Sequence, residues 1–159
     1  MYREGHAGLS FLIFSPFLYL FRLLGFDLTN VLVTGLLMVG LSSLPDIDIR
    51  WEIKHRGVTH TLLFGIFVGI IFSVLLGYGY GFVGWFMGFM AGFGGIASHL
   101  VGDAFTYSPF KPFYPFSNRE VHYGFFKSSN KTMNRAIFVL GVITFTISYE
   151  PTIITQFFH

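Results

Sequence analysis

Long apolar runs separated by short polar stretches set the pattern of this chain. Four runs, at about residues 7–24, 28–44, 59–76 and 82–102, lack interior acidic residues. At roughly 17 to 25 residues each they are long enough to cross the hydrocarbon layer of a membrane as helices. Pro16 predicts a kink in the first, and Arg22 lies near enough to its end to snorkel. Pro45 closes the second. The Gly-Tyr-Gly-Tyr-Gly run from Gly77 to Gly81 predicts a tight reversal after the third. The Gly and Ala content of the fourth suits close helix contact. A fifth, weaker stretch, about 136–157, is interrupted by Glu150 and Pro151, so it ends early, bends or lies partly in the interface. No small-residue cleavage site follows the first run and three more spans come after it, so it reads as a span rather than a signal peptide.

The polar stretch 104–134 carries Pro109, Pro112 and Pro115 among Tyr107, Phe110, Phe113, Tyr114 and Phe116, which excludes a regular helix in its first half. Proline with amphipathic rings suits an interfacial loop at headgroup depth. The expectation is one all-α domain over residues 1–159: a polytopic membrane helix bundle of four transmembrane helices plus the weaker C-terminal segment.

Composition agrees. Of 159 residues, 53% are hydrophobic and 11% charged, against about 25% charged in an ordinary soluble domain. The absence of cysteine excludes disulfides, thiolate metal ligands and a cysteine nucleophile. A net charge of +2 is too small to argue for nucleic acid. The placement of the charges says more. If each run reverses direction, Arg3, Arg50, Lys54, Arg56, Lys111, Arg119, Lys127, Lys131 and Arg135 all fall on one side, leaving only Arg22 for the other. The positive-inside rule makes the richer side cytoplasmic.

The same threading brings nearly every candidate metal ligand to that side: His6, Asp46, Asp48, His55, His60, His99 and Asp103. Polar groups are costly at membrane depth, so their convergence from separate spans needs a cause. Asp46 and Asp48, two residues apart after Pro45, point the same way if the backbone is extended, and two carboxylates held together call for a cation between them. A helix-ending turn is the plainer account. His55 and His60, five residues apart, converge only if Gly57 breaks the helix; Thr59 then reads as the N-cap of a helix whose free N–H groups, with Arg56 beside them, suit a phosphate. Interfacial histidines are the plainer account here. His99 and Asp103, four apart, share a helix face, either as two ligands of one ion or as a histidine oriented by its carboxylate. His122 and Glu120 read as solvated loop residues, and Glu150 as a residue of the opposite side or of the last segment.

Together these residues resemble the YdjM-like family of small bacterial and archaeal membrane proteins, generally described as membrane-bound metal-dependent hydrolases. The resemblance spans about residues 5–124. It is carried by His6, by Leu44-Pro45-Asp46-Ile47-Asp48, by His55-Arg56-Gly57-Val58-Thr59-His60-Thr61, by His99-Leu100-Val101-Gly102-Asp103-Ala104-Phe105-Thr106 and by Tyr114-Pro115-Phe116-Ser117. Thr61 stands where serine is commoner, a change that keeps the hydroxyl. The family description implies a metal and hydrolysis.

The donor set itself, imidazole and carboxylate without thiolate, suits one or two divalent ions, zinc or manganese before magnesium. Metal-activated water would be the nucleophile, with Asp48 or Asp103 as general base and with Arg56 and the Thr59-capped helix start stabilising developing negative charge. A site opening at headgroup level under an aromatic loop points to a phosphate or acyl ester of a lipid or lipid-linked molecule. Two other classes use the same residues: a divalent-metal carrier or sensor, and a metal-independent lipid phosphatase built on His99. The latter expects an arginine several residues upstream, where Phe93, Gly94 and Gly95 stand.

Overall fold

A computed structural model of the protein describes residues 1–50 and 56–151. The elements are α1 (Arg3–Leu23), α2 (Leu28–Leu41), the single turn α3 (Ile47–Arg50), a 3-10 turn (Val58–His60), α4 (Leu62–Ala104) and α5 (Lys131–Tyr149). Among the described residues α1, α4 and α5 are long and apolar enough to cross a membrane. The chain is a helical bundle with an apolar exterior: Leu36, Leu75, Phe82 and Leu140 turn outward, as side chains facing lipid rather than water would.

α4 is two helices. Gly81 breaks it with φ 63° and ψ −147°, a left-handed conformation that glycine adopts without a Cβ penalty. The arms 62–80 and 82–104 fold back on each other, and the Gly77–Gly81 reversal falls where the sequence predicts it. A Cβ at Gly88 would lie 2.2 Å from the Phe72 carbonyl oxygen, and one at Gly84 would lie 2.3 Å from that of Leu76. Only glycine at these positions lets the two backbones touch.

The first and last helices make a similar contact. A Cβ on Gly141 would fall 2.1 Å from the Gly8 carbonyl oxygen, so α5 packs directly on α1. The fifth segment is therefore a regular helix rather than a marginal one. It begins at Lys131, capped by the Asn130 side chain, and ends at Tyr149, before Glu150 and Pro151. Its remaining predicted residues lie outside the described ones. The second helix departs in the other direction. It has 14 residues, about 21 Å at 1.5 Å per residue, short of the roughly 30 Å hydrocarbon core. It gives way to a turn at Ser42 instead of running to Leu44.

Two apolar clusters hold the bundle. Phe14, Leu18, Phe21, Val31, Met38 and Met87 join α1, α2 and the second arm of α4. Val68, Ile96, Leu100 and Ala104 join the two arms and receive Phe110 from the connecting segment. That segment does more than lie at an interface. Phe110 and Phe126 are buried, Phe110 and Val121 form an antiparallel bridge, and the Pro112 carbonyl accepts from Leu62 N at 2.9 Å. Meanwhile Tyr107, Tyr114, Phe116 and Phe125 remain exposed.

The threading matches the expectation. Arg22 and Glu150 pair at 3.8 Å at one end of the bundle, near the Gly25 turn. His6, residues 42–50, 56–60 and 99–134 gather at the other.

Candidate metal centre

The approach to α4 is shaped by one left-handed residue. Arg56 has φ 61°, a conformation costing a non-glycine residue on the order of 1–3 kcal/mol unless its surroundings hold it. Its backbone N–H donates to Asp48 Oδ2 at 3.0 Å, its Nη2 lies 3.1 Å from Asp103 Oδ2, and its Nη1 donates to the Ser108 carbonyl. The sequence expectation put a break at Gly57, and Gly57 is non-helical, with φ −84° and ψ −132°; the left-handed residue is its neighbour Arg56. The guanidinium expected to stand free for phosphate is instead committed to Asp103 and to the connecting segment.

The 3-10 turn that follows carries His60 inward until it is fully buried. Thr61, not Thr59, caps the next helix, its hydroxyl oxygen accepting from Phe64 N at 3.1 Å. Thr59 instead donates to Asp48 Oδ2 at 3.0 Å. The predicted extended pair Asp46 and Asp48 is also different in detail. Asp46 sits in the turn leading into α3 and Asp48 in α3 itself, and they address opposite edges of one ring: Asp48 Oδ2 lies 3.3 Å from His60 Nδ1, whereas Asp46 Oδ1 lies 3.7 Å from His60 Nε2. Asp48 thus orients a ligand, and among the described residues the groups that can share an ion do not include it.

His99, fully buried on the second arm of α4, is oriented in the same manner. Its Nδ1 donates to the Ser42 carbonyl at 2.7 Å. A carbonyl only accepts, so in the neutral ring Nδ1 carries the proton and Nε2 presents a lone pair. Asp48 imposes the same tautomer on His60. The consequence is a conflict: the two Nε2 atoms face each other 3.2 Å apart, each with a lone pair and neither with a proton to share. His6 adds to it. Its ring stacks on His99 with centroids 3.8 Å apart, it is fully buried, and neither of its nitrogens has a hydrogen-bond partner.

A cation resolves all three. Ligand atoms of His6, Asp46 and His99 lie within 4.8 Å of one another, as do those of His60, His99 and Asp103. His99 Nε2 is 3.7 Å from Asp46 Oδ1 and 3.8 Å from Asp103 Oδ2, and His6 Nε2 is 3.5 Å from Asp103 Oδ1. Ligands of a tetrahedral ion with bonds of roughly 2.0–2.1 Å stand roughly 3.3 Å apart, so the cluster fits a metal with little movement. Burial by itself would raise the Asp46 carboxyl; the His60 imidazole beside it and the charges of His99 and His6 outweigh this and hold it below the usual carboxylate range. Asp46 is therefore an anion ready to bind.

Of the seven predicted ligands, His6, Asp46, His60, His99 and Asp103 come together, Asp48 stands behind His60, and His55 lies outside the described residues. His122 and Glu120 are exposed in the loop. Two contributors were missed by sequence reasoning. Ser42 works through its backbone carbonyl, which leaves no trace in residue type. Asn134 is fully buried, takes Tyr2 N on its Oδ1 at 2.9 Å and so ties α5 to the start of α1 beside His6. An amide in the first turn of an otherwise apolar helix was its available signal.

Above the cluster lies a cavity of about 200 Å³ whose walls include Asp46, Arg56, Asp103, Ser128 and Ser129. No curated protein and no solved structure matches the chain. A family model described as YdjM inner membrane protein matches residues 1–158, and the site residues all fall within that match. The chain belongs to the YdjM inner membrane protein family.

Proposed function

We propose that the protein is a membrane-embedded metal-dependent hydrolase that cleaves a phosphate or acyl ester of a lipid or lipid-linked substrate at the cytoplasmic face. In this reading the short α2 and both arms of α4 traverse the membrane together with α1 and α5. The observation that carries it is the meeting of the His60 and His99 Nε2 atoms 3.2 Å apart, with their Nδ1 edges turned to Asp48 and to the Ser42 carbonyl, beside a buried His6 with no hydrogen bond among the described residues. Protein groups aimed in this way serve a cation, and the all-nitrogen-and-oxygen donor set favours zinc or manganese, as one ion or two.

A bound divalent cation supplies the Lewis acidity that makes water a nucleophile at neutral pH. The chain supplies the rest. His6, His60 and His99 hold the centre in an apolar bundle that excludes bulk water. Asp46 and Asp103 line the cavity and are placed to take a proton from water. Asp48 fixes the His60 ring. Arg56, on the same wall, stabilises negative charge that develops on the ester.

The test is to purify the full chain in detergent, measure bound metal by elemental analysis, and assay phosphoester and carboxylester release from a lipid panel, with Asp46→Asn and His60→Ala beside it. Metal-dependent turnover abolished in both variants is the expected result. Retained metal with no turnover on any lipid would favour a carrier or sensor. Turnover that survives metal stripping would overturn the proposal in favour of a histidine-nucleophile phosphatase.

A further inference from the structure

Arg56 forms part of two cavities. One is the small cavity over the His/Asp cluster. The other, about 490 Å³, opens to the side between the 3-10 turn and the aromatic segment, and its lining includes Arg56, Thr59, Lys111, Tyr114 and Asn118. It is of ligand size, and Arg56 stands in the wall of both. We propose that this lateral cavity is a subsite for a phosphate group that the enzyme holds but does not cleave, with Lys111 as its counter-charge and Tyr114 and Asn118 as its walls.

Charge carries the argument. The described lining holds two cations and no carboxylate. Arg56 is already neutralised by Asp103. Lys111 is not: its ammonium makes no ion pair or hydrogen bond with any described residue, and its backbone carbonyl serves only to accept from Tyr114 N at 3.2 Å. A half-buried lysine with no partner among the described residues, lining a cavity that also holds the Thr59 and Asn118 side chains, meets an anion from outside at little cost. The exposed Tyr114 and Val58 at the rim place that anion where an amphipathic ring and an aliphatic side chain meet a membrane surface, which is the depth of lipid phosphates. The arrangement gives a division of labour: Lys111 binds the phosphate that stays, and the reacting ester reaches the His/Asp cluster on the other side of Arg56.

The inference rests on the proposed lipid substrate, and its test reads binding rather than turnover, so the two fail separately. The full chain in detergent is titrated with dioleoylphosphatidylglycerol, with dioleoylphosphatidylcholine and with inorganic phosphate, and adducts are counted by native mass spectrometry before and after metal is stripped with EDTA. Lys111→Met, Asn118→Ala and Lys111→Arg are compared with Lys131→Met, which removes a cation at the start of α5, away from the cavity. Loss of one charge-assisted contact predicts about a tenfold drop in phosphatidylglycerol retention for Lys111→Met. Lys111→Arg should restore most of the binding and Lys131→Met should leave it within twofold, with metal content unchanged throughout. Lys111-dependent lipid retention that inorganic phosphate does not displace identifies a headgroup. Lys111-dependent binding of inorganic phosphate alone identifies a free phosphate, and upholds the subsite while removing its lipid. Equal losses for Lys111→Met and Lys131→Met, or none for either, would overturn the subsite.

Discussion

The His6 and His99 rings stack face to face, with centroids 3.8 Å apart and planes within 11°. Two imidazoles packed this closely in a membrane interior repel if both are protonated and hold a cation well if neither is. The two rings come from distant parts of the chain, α1 and the second arm of α4, so a shared ion would also tie those helices together. Purified protein is expected to carry tightly bound divalent metal, and His99→Ala, which belongs to both ligand groups, should lose more of it than His6→Ala. Elemental analysis after gel filtration reads the difference. Equal metal content in wild type and His99→Ala would refute the centre.

Asp48 is buried behind His60, with Oδ2 3.3 Å from its Nδ1. Its effect on metal is indirect. Asp48→Asn should lower metal affinity by roughly ten- to a hundredfold, less than removal of His60 itself, as measured by competition with a chelating dye. The same change leaves the Arg56 N–H and the Thr59 hydroxyl with an amide in place of a carboxylate, so the turn around Arg56 should become more sensitive to protease. An Asp48→Asn variant with unchanged affinity would mean that the carboxylate serves the turn alone.

Acidification should release the metal, because imidazoles must be deprotonated to bind. The sign for Asp46 differs. Its carboxyl is held below the usual range, so it stays charged, and keeps its contribution, as pH falls through the region where an ordinary aspartate titrates. Loss of metal at a pH above the range of an ordinary aspartate therefore belongs to histidine protonation. Asp46→Asn is expected to weaken binding at every pH without moving the midpoint of release. A shifted midpoint would assign the transition to Asp46.

Packing at the helix hairpin gives a prediction independent of the centre. Gly88→Ala pushes a methyl to within 2.2 Å of the Phe72 carbonyl oxygen, whereas a Cβ at Gly79 meets nothing within 4 Å. The first should cost at least about 1–3 kcal/mol, since the backbone must move. The second should change stability by less than about 1 kcal/mol, and in the favourable direction, because alanine is the better helix former. Thermal unfolding in one detergent, followed by circular dichroism, separates them.

Periodic polarity was sufficient for the helices. The apolar runs, the reversal at Gly81 and the sharing of one end by His6, Asp46, His60, His99 and Asp103 all follow from chain length, hydropathy and the alternation of spans, because a membrane leaves a helix few ways to lie. The same reasoning underrated α5. Its apolar content alone is modest, and its place in the bundle comes from the Gly8–Gly141 contact, which joins residues far apart in the chain. Local detail was likewise decided only on folding. The left-handed turn at Arg56, the capping role of Thr61 and the separation of Asp46 from Asp48 onto two edges of His60 depend on partners such as Asp103 and Ser108 that no local window contains. The tautomer of His99 depends on the Ser42 carbonyl, a backbone group that every residue type possesses. Residue spacing can say which side chains meet; which nitrogen they turn toward a cation is settled by hydrogen bonds between distant segments.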